Sequence, residues 1–115
     1  MRTAAGARGG TGIWLLQRAS ALLMAVLLPG FLAYALLQEP HDYVSWRALF
    51  APLAAKVAVV LFMAAMLVHG WIGLREILID YVHPMSVRLS LNLVFAVLYL
   101  ACLIWAVDIL WRMAP

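Results

Sequence analysis

Three long apolar runs, at roughly 13–37, 49–79 and 89–109, constrain this chain more than anything else in it. Each supplies the ~20 apolar residues that carry a helix across the hydrocarbon core of a bilayer. Lipid offers no hydrogen bonds to a backbone, so a crossing segment must bond its own N–H and C=O groups, and a helix does so. Composition agrees: 68% of the residues are apolar and 11% charged, where soluble domains carry about 25% charged residues. The fold class is therefore an all-α membrane protein with three transmembrane helices. The 115 residues leave room for a single domain.

The connections are short and polar. Residues 38–47 (QEPHDYVSWR) contain Pro40, and residues 80–88 (DYVHPMSVR) contain Pro84, each a helix stop. Short connections make neighbouring helices antiparallel, which gives an up-down-up bundle. Residues 1–12 (MRTAAGARGGTG) are rich in Gly and Ala and free of acids, the pattern of a flexible terminus. A cleaved signal peptide ending near Ala33-Tyr34-Ala35 is disfavoured by the long polar head and by Pro29-Gly30 within the run.

Orientation follows the Lys/Arg bias. Arg2, Arg8, Arg18, Arg75 and Arg88 fall on one face; Arg47, Lys56 and Arg112 fall on the other. The N-terminus and the 80–88 connection are expected on the cytoplasmic side of a bacterial inner membrane. The net charge of +3 comes from residues flanking apolar runs. That is a topology signal and no phosphate-binding patch, so no nucleic-acid partner is expected. Cys102, the one cysteine, lies in an apolar run and is expected to pack. No P-loop, G-x-G-x-x-G, C-x-x-C or G-x-S-x-G motif is present. Any chemistry must then be carried by a cofactor or a partner subunit.

Ionisable residues within spans are expensive, and so they are functional candidates. His69 follows twelve uncharged residues, 57–68, and precedes five more before Arg75. A neutral imidazole there has two uses: a hydrogen bond across helices, or ligation of a metal. Gly70 and Gly73 bracket Trp71 and Ile72, and small residues admit a neighbouring helix or a flat macrocycle. His69, Gly73, Glu76 and Asp80 share a helix face. The eleven residues from His69 to Asp80 span about three turns, or ~16 Å.

Tyr81 follows where this helix should end. A tyrosine hydroxyl beside a carboxylate can hold the carbonyl of a lipophilic ligand; an aromatic anchor at headgroup level is the plainer reading. Arg18, a turn into the first run, either snorkels to the headgroups or pairs with a buried anion. Gln17 and Ser20 could support either arrangement. Trp14, Trp46, Trp105 and Trp111 lie near span ends as girdle residues, and the methionines read as packing.

Two segments carry a resemblance: W-L-L-Q-R-A-S-A at 14–21 and H-G-W-I-G-L-R-E-I-L-I-D-Y-V-H at 69–83. With three spans and this length, the chain resembles the hydrophobic membrane-anchor subunits of succinate dehydrogenase (respiratory complex II), the smaller of the two anchors. The larger anchor also has a histidine in its second span, followed by a G-x-R-H-type segment. Gly73-Leu74-Arg75 is similar to that segment, but Glu76 stands where the second histidine would be, and Tyr81 favours the smaller anchor.

The resemblance implies that His69 is an axial ligand to the iron of a b-type haem (haem b) shared with a second membrane-anchor subunit. It implies that Tyr81 contacts the ubiquinone head group with Asp80 beside it, and that Arg18 lies near a haem propionate. It further implies an iron–sulfur subunit and a flavoprotein subunit as partners, so this chain would not be catalytic alone. His41 and His83 fall in connections, which leaves the second axial imidazole to the partner anchor. A fumarate reductase anchor, another small cytochrome b, or a structural three-helix protein without cofactor are the alternatives.

Overall fold

A computed structural model describes the backbone of residues 4–113 and the side chains of residues 11–113. Arg2 lies outside the described residues, as does the side chain of Arg8. The described chain forms four helices: α1 Ala4–Gln38, α2 Tyr43–Ala48, α3 Leu53–Tyr81 and α4 Met85–Trp111. Three segments are long and apolar enough to cross a membrane: Thr11–Gln38, Leu53–Tyr81 and Met85–Trp111. They alternate in direction, as the short connections require.

The boundaries have local causes. Glu39 adopts a φ of 49°, the left-handed geometry that closes many helices, and Pro40 follows it. Prolines 52 and 84 stand at the N-caps of α3 and α4, where a missing N–H costs nothing. They shift these helices to 53–81 and 85–111 from the apolar bounds of 49–79 and 89–109. At the N-terminus, α1 begins at Ala4, so the expected flexible terminus is instead a helical extension from residue 4. Once nucleated, a helix gains one hydrogen bond per added residue, and no proline stops it there. Pro29 lies inside α1 without ending it, a position that spanning helices tolerate. The Ala33-Tyr34-Ala35 segment is part of the same helix.

The 38–47 connection holds one more element than its polarity suggested. Asp42 caps α2 by accepting from the Ser45 amide at 2.7 Å, and the Ser45 hydroxyl accepts from the Asp42 amide at 3.1 Å. This reciprocal capping box satisfies two donors that would otherwise lack partners.

α3 is the central helix. Among the described residues, α1 and α4 each pack on α3 and not on each other, so the three spans form an open layer. Small residues occupy much of the interface: Ala35, Ala51, Ala55, Ala65 and Ser20 are all buried. Small side chains let helices approach closely where lipid supplies no hydrophobic drive between them. Most large apolar side chains, including Leu22, Leu36, Leu93 and Ile104, point outward. In water this would be an aggregating surface; toward lipid it is the expected one. Cys102 also faces outward, correcting its assignment to packing. Its neighbours on α4 are apolar all round, so the sequence held no sign of which face meets α3.

The end where α1 finishes is tied by polar and aromatic contacts. The Tyr34 hydroxyl donates to the Leu49 carbonyl at 2.8 Å. Phe31 stacks on Phe50 at 5.4 Å between centroids. Lys56, read above as a flanking charge, is only 7% exposed. Its ammonium donates to the Met113 carbonyl at 2.8 Å and lies 5.9 Å from the Trp111 ring centroid. Arg47 donates to the Arg112 carbonyl at 3.3 Å, and Arg112 pairs with Asp108 at 3.0 Å. The chain just past α4 is thus fastened to the beginning of α3.

Two outcomes test these contacts. Tyr34→Phe should lower the unfolding free energy of the detergent-solubilised chain by about 1–2 kcal/mol, the cost of one lost hydrogen bond to a buried carbonyl. The Asp42 carboxyl is held below the usual aspartate range, first by the Ser45 hydroxyl and then by the Ser45 amide. A depressed carboxyl stabilises the folded connection fully above the free-aspartate value, and this contribution is lost as pH falls through the lower folded value. A carboxyl-carbon NMR titration should therefore place Asp42 below free aspartate, and Ser45→Ala should move it upward.

Candidate functional site

His69 lies in the second half of α3 on the side that meets α1. Its Nδ1 is 3.2 Å from the Ser20 hydroxyl and 3.2 Å from the Gln17 carbonyl. The Ser20 hydroxyl itself donates to that same carbonyl at 2.8 Å. Positions 17 and 20 are three apart, so they share a face of α1. Ser20 is 6% exposed and His69 half-buried. The cross-helix hydrogen bond expected of a buried histidine is present. It engages one ring nitrogen, and Nε2 has no hydrogen-bond partner among the described residues. The sequence left Gln17 and Ser20 as supports for Arg18; the fold turns them to His69.

Arg18 is exposed, and its guanidinium folds back over the Trp14 ring, 4.7 Å from the centroid. Trp14 is one turn nearer the N-terminus, so the charge reaches toward the membrane face on which α3 ends. That is the snorkelling geometry, and it leaves the guanidinium without a carboxylate partner among the described residues.

α3 runs unbroken through Tyr81, so the stripe of His69, Gly73, Glu76 and Asp80 is a real helix face. Gly73 has open space where a Cβ would stand, and at Gly70 the nearest atom is the Tyr99 hydroxyl at 3.9 Å. Asp80 and Tyr81 are exposed, Tyr81 by 78%, and neither makes a side-chain hydrogen bond among the described residues. They stand ~18 Å or less along the axis from His69 at 1.5 Å per residue. The structure thus joins His69 to Ser20 and Gln17. It leaves Arg18 near the same level of α1, and sets Asp80-Tyr81 apart at the end of α3.

α4 contributes residues that the sequence reading passed over. Tyr99 packs edge-on against Trp71 at 6.2 Å between centroids. A cavity of about 330 Å³ lies between α1, α3 and α4, lined by Leu16, Val68, Trp71, Ile72 and Tyr99 among others. The Asn92 carboxamide oxygen is buried without a donor among the described residues. A Tyr and an Asn within a largely apolar span were the available signal.

Among the described residues, no three His, Cys, Asp or Glu side chains cluster as a metal site. His41 and His83 lie in the connections, outside the long helices. Three helices long and apolar enough to span a bilayer, with a histidine held between two of them, define a multi-pass membrane protein.

Comparison with known proteins places it further. Residues 2–106 match the family model of the succinate dehydrogenase/fumarate reductase transmembrane subunit. The chain is also 33% identical over 104 residues, 90% of each chain, to the succinate dehydrogenase hydrophobic membrane anchor subunit of Coxiella burnetii (strain RSA 493 / Nine Mile phase I). The chain belongs to this family of transmembrane subunits.

Proposed function

We propose that this chain anchors a succinate:quinone oxidoreductase in the bacterial inner membrane, helps bind a b-type haem, and forms part of the ubiquinone-reduction site. The observation that carries the reading is His69: its Nδ1 is tied to α1, and its other nitrogen is left without a partner. A ligating histidine characteristically has its second nitrogen bonded to a carbonyl or similar acceptor. The residues present fit a haem in a second respect, since the open space beside Gly73 on the His69 face admits a flat group. Haem, when bound, supplies a one-electron carrier.

The chain's own residues have separate tasks. His69 would hold the haem iron from this chain, with a second ligand supplied by the partner anchor. Arg18 would hold a propionate through a charge-assisted hydrogen bond in place of its cation–π contact with Trp14. The Tyr81 hydroxyl donates to a quinone carbonyl, and the Asp80 carboxylate sets the local field. Exposure of Asp80 and Tyr81 suits a pocket completed by the iron–sulfur subunit and the second anchor. A flavoprotein subunit would oxidise succinate to fumarate, releasing two electrons and two protons. The quinone takes up two of each to become quinol. The N-terminus and the 80–88 connection then face the cytoplasm, where soluble subunits dock.

The deciding experiment is a reduced-minus-oxidised optical spectrum of the gently purified complex, with its subunits identified. A b-type band together with flavoprotein and iron–sulfur subunits supports the whole reading. Partners without a band keep the anchor role and remove the haem. A band without those partners indicates a different cytochrome b. For the quinone site, Tyr81→Phe should lower quinone reduction roughly tenfold, the equivalent of about 1.4 kcal/mol for one hydrogen bond. Succinate oxidation with a soluble acceptor should persist. Equal loss of both activities would assign Tyr81 to assembly instead.

A further inference from the structure

We infer that Ser20 and the Gln17 carbonyl form a positioning pair that fixes the tautomer of His69 and leaves Nε2 as its free lone pair. The inference rests on the haem reading above and concerns a different set of residues. A serine hydroxyl carries one proton. At 2.8 Å from the Gln17 carbonyl, that proton is committed to the carbonyl. Toward His69 the Ser20 oxygen therefore presents a lone pair, and so does the carbonyl. Both partners of Nδ1, each at 3.2 Å, are acceptors, so the ring hydrogen sits on Nδ1.

The opposite tautomer fails on the same distances. If Nδ1 were bare, Ser20 could turn its proton to the ring, but the carbonyl would then keep only its helix hydrogen bond. Nδ1 and the carbonyl oxygen would face each other at 3.2 Å with no proton between them. Inside a membrane-spanning helix such a lone-pair contact is expensive, since lipid supplies no donor to relieve it. With hydrogen on Nδ1, the neutral ring has its only lone pair at Nε2, which is the form an axial ligand requires.

The pair also bears on electron donation. Each acceptor on Nδ1–H pushes electron density toward Nε2, and outer hydrogen bonds of this kind tune a metal site. Ser20→Ala removes one acceptor and leaves the Gln17 carbonyl alone at the long end of hydrogen-bonding range. His69 becomes a weaker donor to oxidised iron, so the reduced state gains relative stability.

The test is a potentiometric titration of the haem band and low-temperature EPR on the whole complex: wild type, Ser20→Ala and Ser20→Thr. The expected result is an upward shift of the midpoint potential and a displaced low-spin signal in Ser20→Ala, both restored in Ser20→Thr, which keeps a hydroxyl. A Ser20→Ala complex with the wild-type potential and signal would overturn the inference and leave the haem reading standing. Failure of both variants to assemble would assign Ser20 to helix packing and overturn it as well. A wild-type complex without a b-type band would instead remove the haem reading itself, and this inference with it.

Discussion

Inside a bilayer a polar group has nothing to bond to except the rest of the protein, and the interior of this chain is organised around that fact. The backbone meets it by helix formation. The side chains meet it through a short set of bonds between elements. Between α1 and α3 the set is Ser20, the Gln17 carbonyl and His69. At the end where α3 begins it is Lys56 with the Met113 carbonyl, and Tyr34 with the Leu49 carbonyl. Each such bond is worth only about 1 kcal/mol net, but an unmade one would cost as much or more. They therefore act mainly as register pins. The small residues between α1 and α3 let the backbones come close enough for the pins to reach.

The open layer leaves the candidate residues with few contacts inside this chain. α1 and α4 meet α3 but not each other, and large apolar side chains cover both outer faces. Tyr81 and Asp80 stand exposed at the end of α3, Arg18 rests on Trp14, and His69 has one nitrogen engaged. Each has an unused capacity: a phenolic donor, a carboxylate, a guanidinium fork, an imidazole lone pair.

His69 was legible as a candidate because a titratable group amid apolar residues is rare. Asp80 and Tyr81 were legible because polarity returns sharply there. Tyr99 and Asn92 were not, since a single polar residue in a span has many harmless explanations. The short helix α2 was hidden because its capping pair, Asp42 and Ser45, sits in a stretch whose polarity reads as loop. Lys56 was misread for a related reason. A lysine near a span end usually reaches the headgroups, and only the position of Met113 shows that this one is enclosed.

The sequence by itself determined the number of spans, their alternation, the proline boundaries and the identity of the one intramembrane histidine. These depend on local quantities: run length, the missing N–H of proline, and the cost of charge in lipid. The tertiary structure alone decided that α3 is central, that Ser20 and Gln17 belong to His69 and not to Arg18, and that Lys56 holds the chain beyond α4. The reason is physical. Helices apolar on nearly every side carry no face that names its neighbour, so the partners are selected by close approach and by hydrogen bonds between residues far apart in the chain.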